Sequence, residues 1–326
     1  MNRFLLLFLL LTGCSTTFVP QNQNSDPPLA LPAAISSITD VSGENPVFTA
    51  EEVEARAYSC SVVYDGELLR FDYLQTEKTS PKGLVFIYRI LNDPDGIISG
   101  LISDILLNEG FDCIVLQQEN FLSKKFIRPI ISIVEPYGYD EYNARLARGV
   151  GRIIHYWLPQ QGRLTGDYAF VGISMGGIHA IGAAALFPES RITVAIMAGG
   201  GNSDLMRLSQ ESLVIYNRER LLDQYALYLA KTYPNRRMDV QGYFYGILDD
   251  MNFDVLRLAK SIETSKVRLM ISLEDTSVPT PLQWNLYHAL RGPETRLFPC
   301  GHYSLALYYF TVKEQLKQWL NGAFKD

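Results

Sequence analysis

Five stretches of this chain are apolar almost from end to end and no longer than a strand: LVFIY within residues 82–90, CIVL within 111–117, AFVGI within 167–173, TVAIM within 191–199 and RLMISL within 266–273. Stretches with apolar residues at helical spacing lie between them, over residues 97–109, 141–159 and 176–187. A strand without apolar–polar alternation has no face to offer water. It must be covered on both sides, which calls for parallel strands joined by helical crossovers. The expected fold class is therefore α/β, a mostly parallel central sheet flanked by helices. Residues 57–74 add a hairpin at one edge, AYSCSVVY and ELLRFDYL joined by Asp65-Gly66. After residue 273 come a helix over 281–291, the short strand TRLFP and an amphipathic helix over 304–320.

One block breaks this alternation. Residues 203–265 separate two strands and contain no clear strand, while Leu221, Leu222, Tyr225, Tyr228 and Leu229 fall at helical spacing. The block reads as a helical insertion, placed to cap a site at the sheet edge. Its aromatic residues, among them Tyr243, Phe244, Tyr245 and Phe253, either pack cap helices together or line a pocket.

The ends carry separate information. MNRFLLLFLLLTGC sets Arg3 before an apolar run too short to span a bilayer permanently, and ends in Thr12-Gly13-Cys14. That ending resembles the lipobox of bacterial lipoproteins. The resemblance implies cleavage after residue 13, a diacylated Cys14 and, with Ser15 following, a position in the bacterial envelope at the outer membrane, facing the periplasm. Residues 14–47 are rich in Ser, Thr, Asn, Gln and Pro and read as a flexible tether, which leaves 48–326 as the folded domain. Cys60, Cys113 and Cys300 then remain, and buried free thiols are the simpler reading of strand cysteines. The formal charge of −6 comes without any run of Lys or Arg, which argues against nucleic acid as a partner. No metal-ligand cluster or phosphate-cradling loop stands out, so no cofactor is expected.

The stretch DYAFVGISMGG, residues 167–177, carries the chemistry. Gly172 and Gly176 flank Ser174 between a strand and a helix, where a sharp turn lifts the hydroxyl clear of the backbone. SLEDTSVPT follows the strand at 266–273, and FPCGHYS follows the last strand. On these residues the chain resembles the α/β-hydrolase fold family over most of residues 57–320. The resemblance implies a catalytic Ser174, Asp275 and His302 in the family's chain order. His155, His179 and His288 fall within helical stretches and read as packing or surface residues. Asp204 is a second candidate for the acid, and Glu274 should face away from Asp275.

The same resemblance places one oxyanion donor at the backbone N–H of Met175 and the other in the loop after LVFIY, where Ile90 is a positional choice. That loop reads YRILNDPDG and lacks the glycines many relatives carry there. Arg89 is expected to face solvent. The implied function is a membrane-anchored serine hydrolase that cleaves a small-molecule acyl substrate, an ester by default and a thioester or amide by the same chemistry. Two other readings share these residues: a binding lipoprotein that keeps the fold without catalysis, and an acyltransferase that uses the same triad.

Overall fold

The computed structural model describes residues 16–21, 27–31, 35, 37–89, 96–117, 136–201 and 251–325, with isolated positions between 226 and 246. Its centre is a ten-stranded sheet in the order β1-β10-β9-β8-β7-β5-β6-β4-β3-β2. The strands are β1 (Thr17–Val19), β2 (Val47–Glu54), β3 (Ala57–Tyr64), β4 (Glu67–Leu74), β5 (Leu84–Tyr88), β6 (Asp112–Leu116), β7 (Tyr168–Ile173), β8 (Thr193–Ile196), β9 (Val267–Ser272) and β10 (Glu294–Phe298). From β6 to β10 every neighbour is parallel, while β4, β3 and β2 on one side and β1 on the other pair antiparallel.

The apolar runs build the middle of this sheet. Every residue of β5, β6, β7 and β8 is buried. Side chains alternate between the two faces, so Leu84, Phe86 and Tyr88 of β5 enter one core and Val85 and Ile87 the other. The first core is closed by α2 (Pro136–Arg152), α3 (Met175–Leu186), α4 (Val255–Ala259) and α5 (Thr280–Ala289); the second is closed by α1 (Ile97–Glu109) and α6 (Tyr309–Ala323). The expected α/β architecture is the one observed. At the β3–β4 hairpin Asp65 and Gly66 have φ of 47° and 78°, the doubly left-handed turn whose twist matches paired strands.

Three expectations need correction. The expected helix over 141–159 is α2 followed by a π-helical turn at Ile153–Trp157 and a 3-10 turn at Leu158–Gln160. The expected insertion over 203–265 ends earlier than its sequence limit: Phe253, Val255, Leu258 and Ala259 are buried in the first core, so α4 belongs to the body of the domain. Most of the remaining insertion, with Asp204, Tyr243, Phe244 and Tyr245, lies outside the described residues, as do residues 1–13, expected to be a signal segment, Cys14 and Ile90.

The third correction concerns the tether over 14–47. Its described parts are docked on the domain. Ile35 and Val41 are buried, the Tyr156 hydroxyl donates to the Val41 carbonyl at 2.5 Å, and Glu44 pairs with Arg152 at 2.5 Å. Arg152 also pairs with Glu67 at 2.8 Å, so Glu44 completes the neutralisation of a guanidinium that is only 3% exposed. Polar composition hid these few anchoring residues.

Candidate active site

Parallel strands deliver their C-terminal ends to one edge of the sheet, and three loops at that edge hold the residues singled out above. Ser174 follows β7, Asp275 follows β9 and His302 follows β10. Ser174 sits at φ 57° and ψ −122°, a conformation that L-residues rarely adopt and that costs of order 1–3 kcal/mol. The surrounding structure enforces it. The Ser174 N–H donates to the Ile196 carbonyl at 2.8 Å, and its own carbonyl accepts from Ile178 N–H at 3.2 Å to open α3.

The flanking glycines have steric reasons. A Cβ on Gly172 would lie 2.1 Å from the Gly176 carbonyl oxygen, and one on Gly176 would lie 2.2 Å from the Tyr88 carbonyl oxygen. The second approach presses the first turn of α3 against the exit of β5. The loop expected to hold the second oxyanion donor therefore leaves the sheet beside the serine turn, although Ile90 itself is not described. Met175 is the first residue of α3, where the helix dipole favours negative charge.

Asp275 and His302 meet directly, with His302 Nδ1 2.8 Å from Asp275 Oδ2. Both are buried. The carboxylate is held from all sides: Oδ1 accepts from Ser277 N–H at 2.8 Å and Val278 N–H at 2.9 Å, and Oδ2 also accepts from Gln283 Nε2 at 3.1 Å. A ring nitrogen facing an acceptor-only carboxylate carries its proton. Nδ1 is thus the donor, and Nε2 is left as the basic nitrogen of the neutral ring. Glu274 is exposed, but it lies in a turn rather than in the extended chain that was expected.

Gln283 escaped the sequence reading. It is fully buried on α5, and its amide is used at both ends: Oε1 accepts from Ser272 N–H at 3.0 Å, while Nε2 donates to Asp275 and, at 2.8 Å, to the Val278 carbonyl. It ties the end of β9 to the acid loop. A glutamine eight residues after an aspartate has no recognisable pattern, and only the fold-back of α5 brings the two together.

The other candidates fall elsewhere. His155 and His288 are exposed, the latter on α5, and His179 is buried between the Tyr88 and Tyr142 rings at 6.2 and 5.9 Å. Burial lowers His179 to about 4, so its ring is neutral. Arg89 departs from expectation: it is half-buried, and its Nε donates to Ser99 Oγ at 3.3 Å, which draws it to the first turn of α1. Cys60, Cys113 and Cys300 are buried free thiols, each with its pKa pushed up chiefly by burial. Among the described residues no group of three or more His, Cys, Asp and Glu side chains could hold a metal ion.

Neither a protein-family model nor a curated protein sequence matches the chain. Solved structures do. The acetyl xylan esterase of Paenibacillus sp. R4 superposes with a TM-score of 0.59 at 16% identity, over 91% of this chain and 97% of that one. Acetyl xylan esterase 1 of Thermoanaerobacterium sp. JW/SL YS485 gives 0.55 at 14% identity, over 94% and 98%. The Pyrococcus furiosus esterase Pf2001 gives 0.52 at 12% identity, over 92% and 100%. Together with the strand order, these likenesses establish an α/β-hydrolase fold.

Proposed function

We propose that this chain is a serine hydrolase that cleaves a carboxylic ester through an acyl-enzyme on Ser174. The observation that carries the reading is the 2.8 Å Asp275–His302 hydrogen bond at the sheet edge that also presents the strained Ser174 turn. A serine hydroxyl is a weak nucleophile at neutral pH and needs a positioned base. His302 Nε2 takes the Ser174 proton as Oγ attacks the ester carbonyl, and Asp275 stabilises the imidazolium that forms. The oxyanion develops at the N-terminus of α3, where the Met175 N–H can receive it, with a donor near Ile90 as its partner. Collapse breaks the ester C–O bond, and His302 returns the proton to the departing alcohol. Water then repeats the sequence and frees the acid.

The solved neighbours named above are esterases, which favours an ester over an amide. The lipobox-like ending at Cys14 supports attachment of this hydrolase to the bacterial envelope membrane. The test is hydrolysis of a series of p-nitrophenyl esters by wild type and by Ser174→Ala, His302→Ala and Asp275→Asn. The first two substitutions should each lower kcat by about 10⁴-fold or more with little change in KM. Turnover that survives Ser174→Ala would remove the serine from the mechanism. Adding a competing alcohol separates hydrolysis from acyl transfer, because only a transferase diverts most of the acyl group to it.

A further inference from the structure

The N-terminal strand joins the sheet in a register that fixes where an anchor would pull. β1 pairs antiparallel with β10, with Thr17 opposite Leu297 and Val19 opposite Thr295. β10 points toward the catalytic edge, so antiparallel β1 starts there and runs away from it. Thr17 is therefore level with the end of β10, one strand-length position before Phe298 and five residues before His302. Cys14 lies three residues before Thr17, and three residues span at most about 10 Å. A lipid on Cys14 would emerge beside the active-site loops, on a leash far shorter than the tether that composition suggested.

The same edge is rimmed with exposed apolar side chains. Directly after His302, Tyr303, Leu307 and Phe310 are 79%, 51% and 62% exposed. Ile97, Ile98 and Leu101 are exposed on the first turns of α1. Two sets of bonds put both groups at one edge. Arg89 at the exit of β5 bonds to Ser99, fixing the start of α1 there. The far ends of α1 and α6 are joined, Glu109 to Lys317 at 2.9 Å and to Asn321 at 3.0 Å, so the helices run side by side with their starts together. Monomeric domains rarely leave several large apolar side chains exposed together unless something covers them.

From the register and this rim we infer that the catalytic edge rests on a lipid bilayer, held by the Cys14 lipid and by the apolar residues on α1 and around the start of α6. The inference builds on the hydrolase reading and narrows its substrate class to acyl esters presented at a membrane surface: amphiphiles whose ester sits at the headgroup boundary, within reach of Ser174 without leaving the bilayer. The Cys14 lipid supplies attachment, and the rim side chains supply the orientation, since a diacylated cysteine holds the chain at the membrane without fixing which face meets it.

The test uses the full-length chain from bacterial membranes, with mass spectrometry of Cys14, placed in vesicles of phosphatidylethanolamine and phosphatidylglycerol. Leu307→Cys and Val53→Cys, the latter exposed on β2 at the opposite end of the strand order, each carry an environment-sensitive nitrobenzoxadiazole dye. The buried native thiols are shielded from the reagent. The expected result is a lipid-like emission shift at position 307 and a water-like spectrum at 53. Equal spectra, an unmodified Cys14, or a shift at 307 that grows with protein concentration in detergent, which would report a second copy of the chain, each overturn the inference. Turnover adds a second readout. Combining Ile97→Ser, Leu307→Ser and Phe310→Ser should lower hydrolysis of a vesicle-embedded ester by at least about tenfold while leaving a water-soluble short-chain ester within about twofold. Equal losses on both substrates also overturn it. The dye readout does not depend on catalysis, so an inactive protein that still docks by this edge separates failure of the hydrolase reading from failure of the orientation.

Discussion

At the scale of single residues, the candidate site rests on side chains that were legible to different degrees. Ser174, Asp275 and His302 could be read because glycines, a strand end and chain order mark them. Gln283 could not, yet it should matter: Gln283→Leu removes a donor from Asp275 and strands the buried Ser272 N–H. The expected cost is about 1–3 kcal/mol of stability. A positioning role further predicts a loss of roughly tenfold in kcat at unchanged KM, since a misaligned Asp275 weakens the imidazolium and not substrate binding. Unfolding and steady-state kinetics of the variant check both. His179 makes a prediction about pH. Burial lowers it from 6.5 to about 4, and neither ring nitrogen has a hydrogen-bond partner among the described residues. Between those values the unfolded chain binds the extra proton, so stability should fall as pH drops through this window, by ~3 kcal/mol in full. His179→Leu should flatten that part of the stability curve. Urea midpoints measured from pH 7 to pH 4 will show the slope in wild type and its loss in the variant.

At the scale of elements, the sequence was legible wherever burial is complete. β5 to β9 appear within a residue or two of their apolar runs because an unbroken run has no alternative partner for its two faces. β2 went unseen: VFTAEEVE is almost wholly exposed and acidic, held at the sheet margin by its ladder to β3. β1 is three residues long and pairs with a strand almost three hundred residues away, so no local pattern announces it. The serine turn belongs to both scales, since its glycines exist to let α3 meet β5. Gly176→Ala puts a methyl group 2.2 Å from the Tyr88 carbonyl oxygen, where only backbone can yield. It should cost about 1–3 kcal/mol of stability and displace the serine turn from the β5 exit, so that esterase activity falls more than folding does. Activity per folded molecule, from paired calorimetry and kinetics, is the quantity to measure.

At the scale of the whole molecule, the segment before β2 changes what counts as the domain. Composition assigned residues 14–47 to a tether, but Val41 and Ile35 are buried and Glu44 neutralises Arg152. A chain starting at residue 48 leaves Arg152 with Glu67 as its remaining carboxylate and uncovers the apolar surface beneath Val41. It should be less stable than the longer chain by about 3–5 kcal/mol, visible as a lower thermal midpoint by calorimetry. Activity assays therefore belong on the longer chain, and so does the measurement that decides the central claim. That measurement is reaction of the full-length protein with a fluorophosphonate, with the modified residue located by mass spectrometry and with Ser174→Ala and His302→Ala as controls. The account predicts one adduct, on Ser174, lost in both variants. A folded wild-type protein that stays unmodified, or an adduct elsewhere that persists in Ser174→Ala, would contradict it.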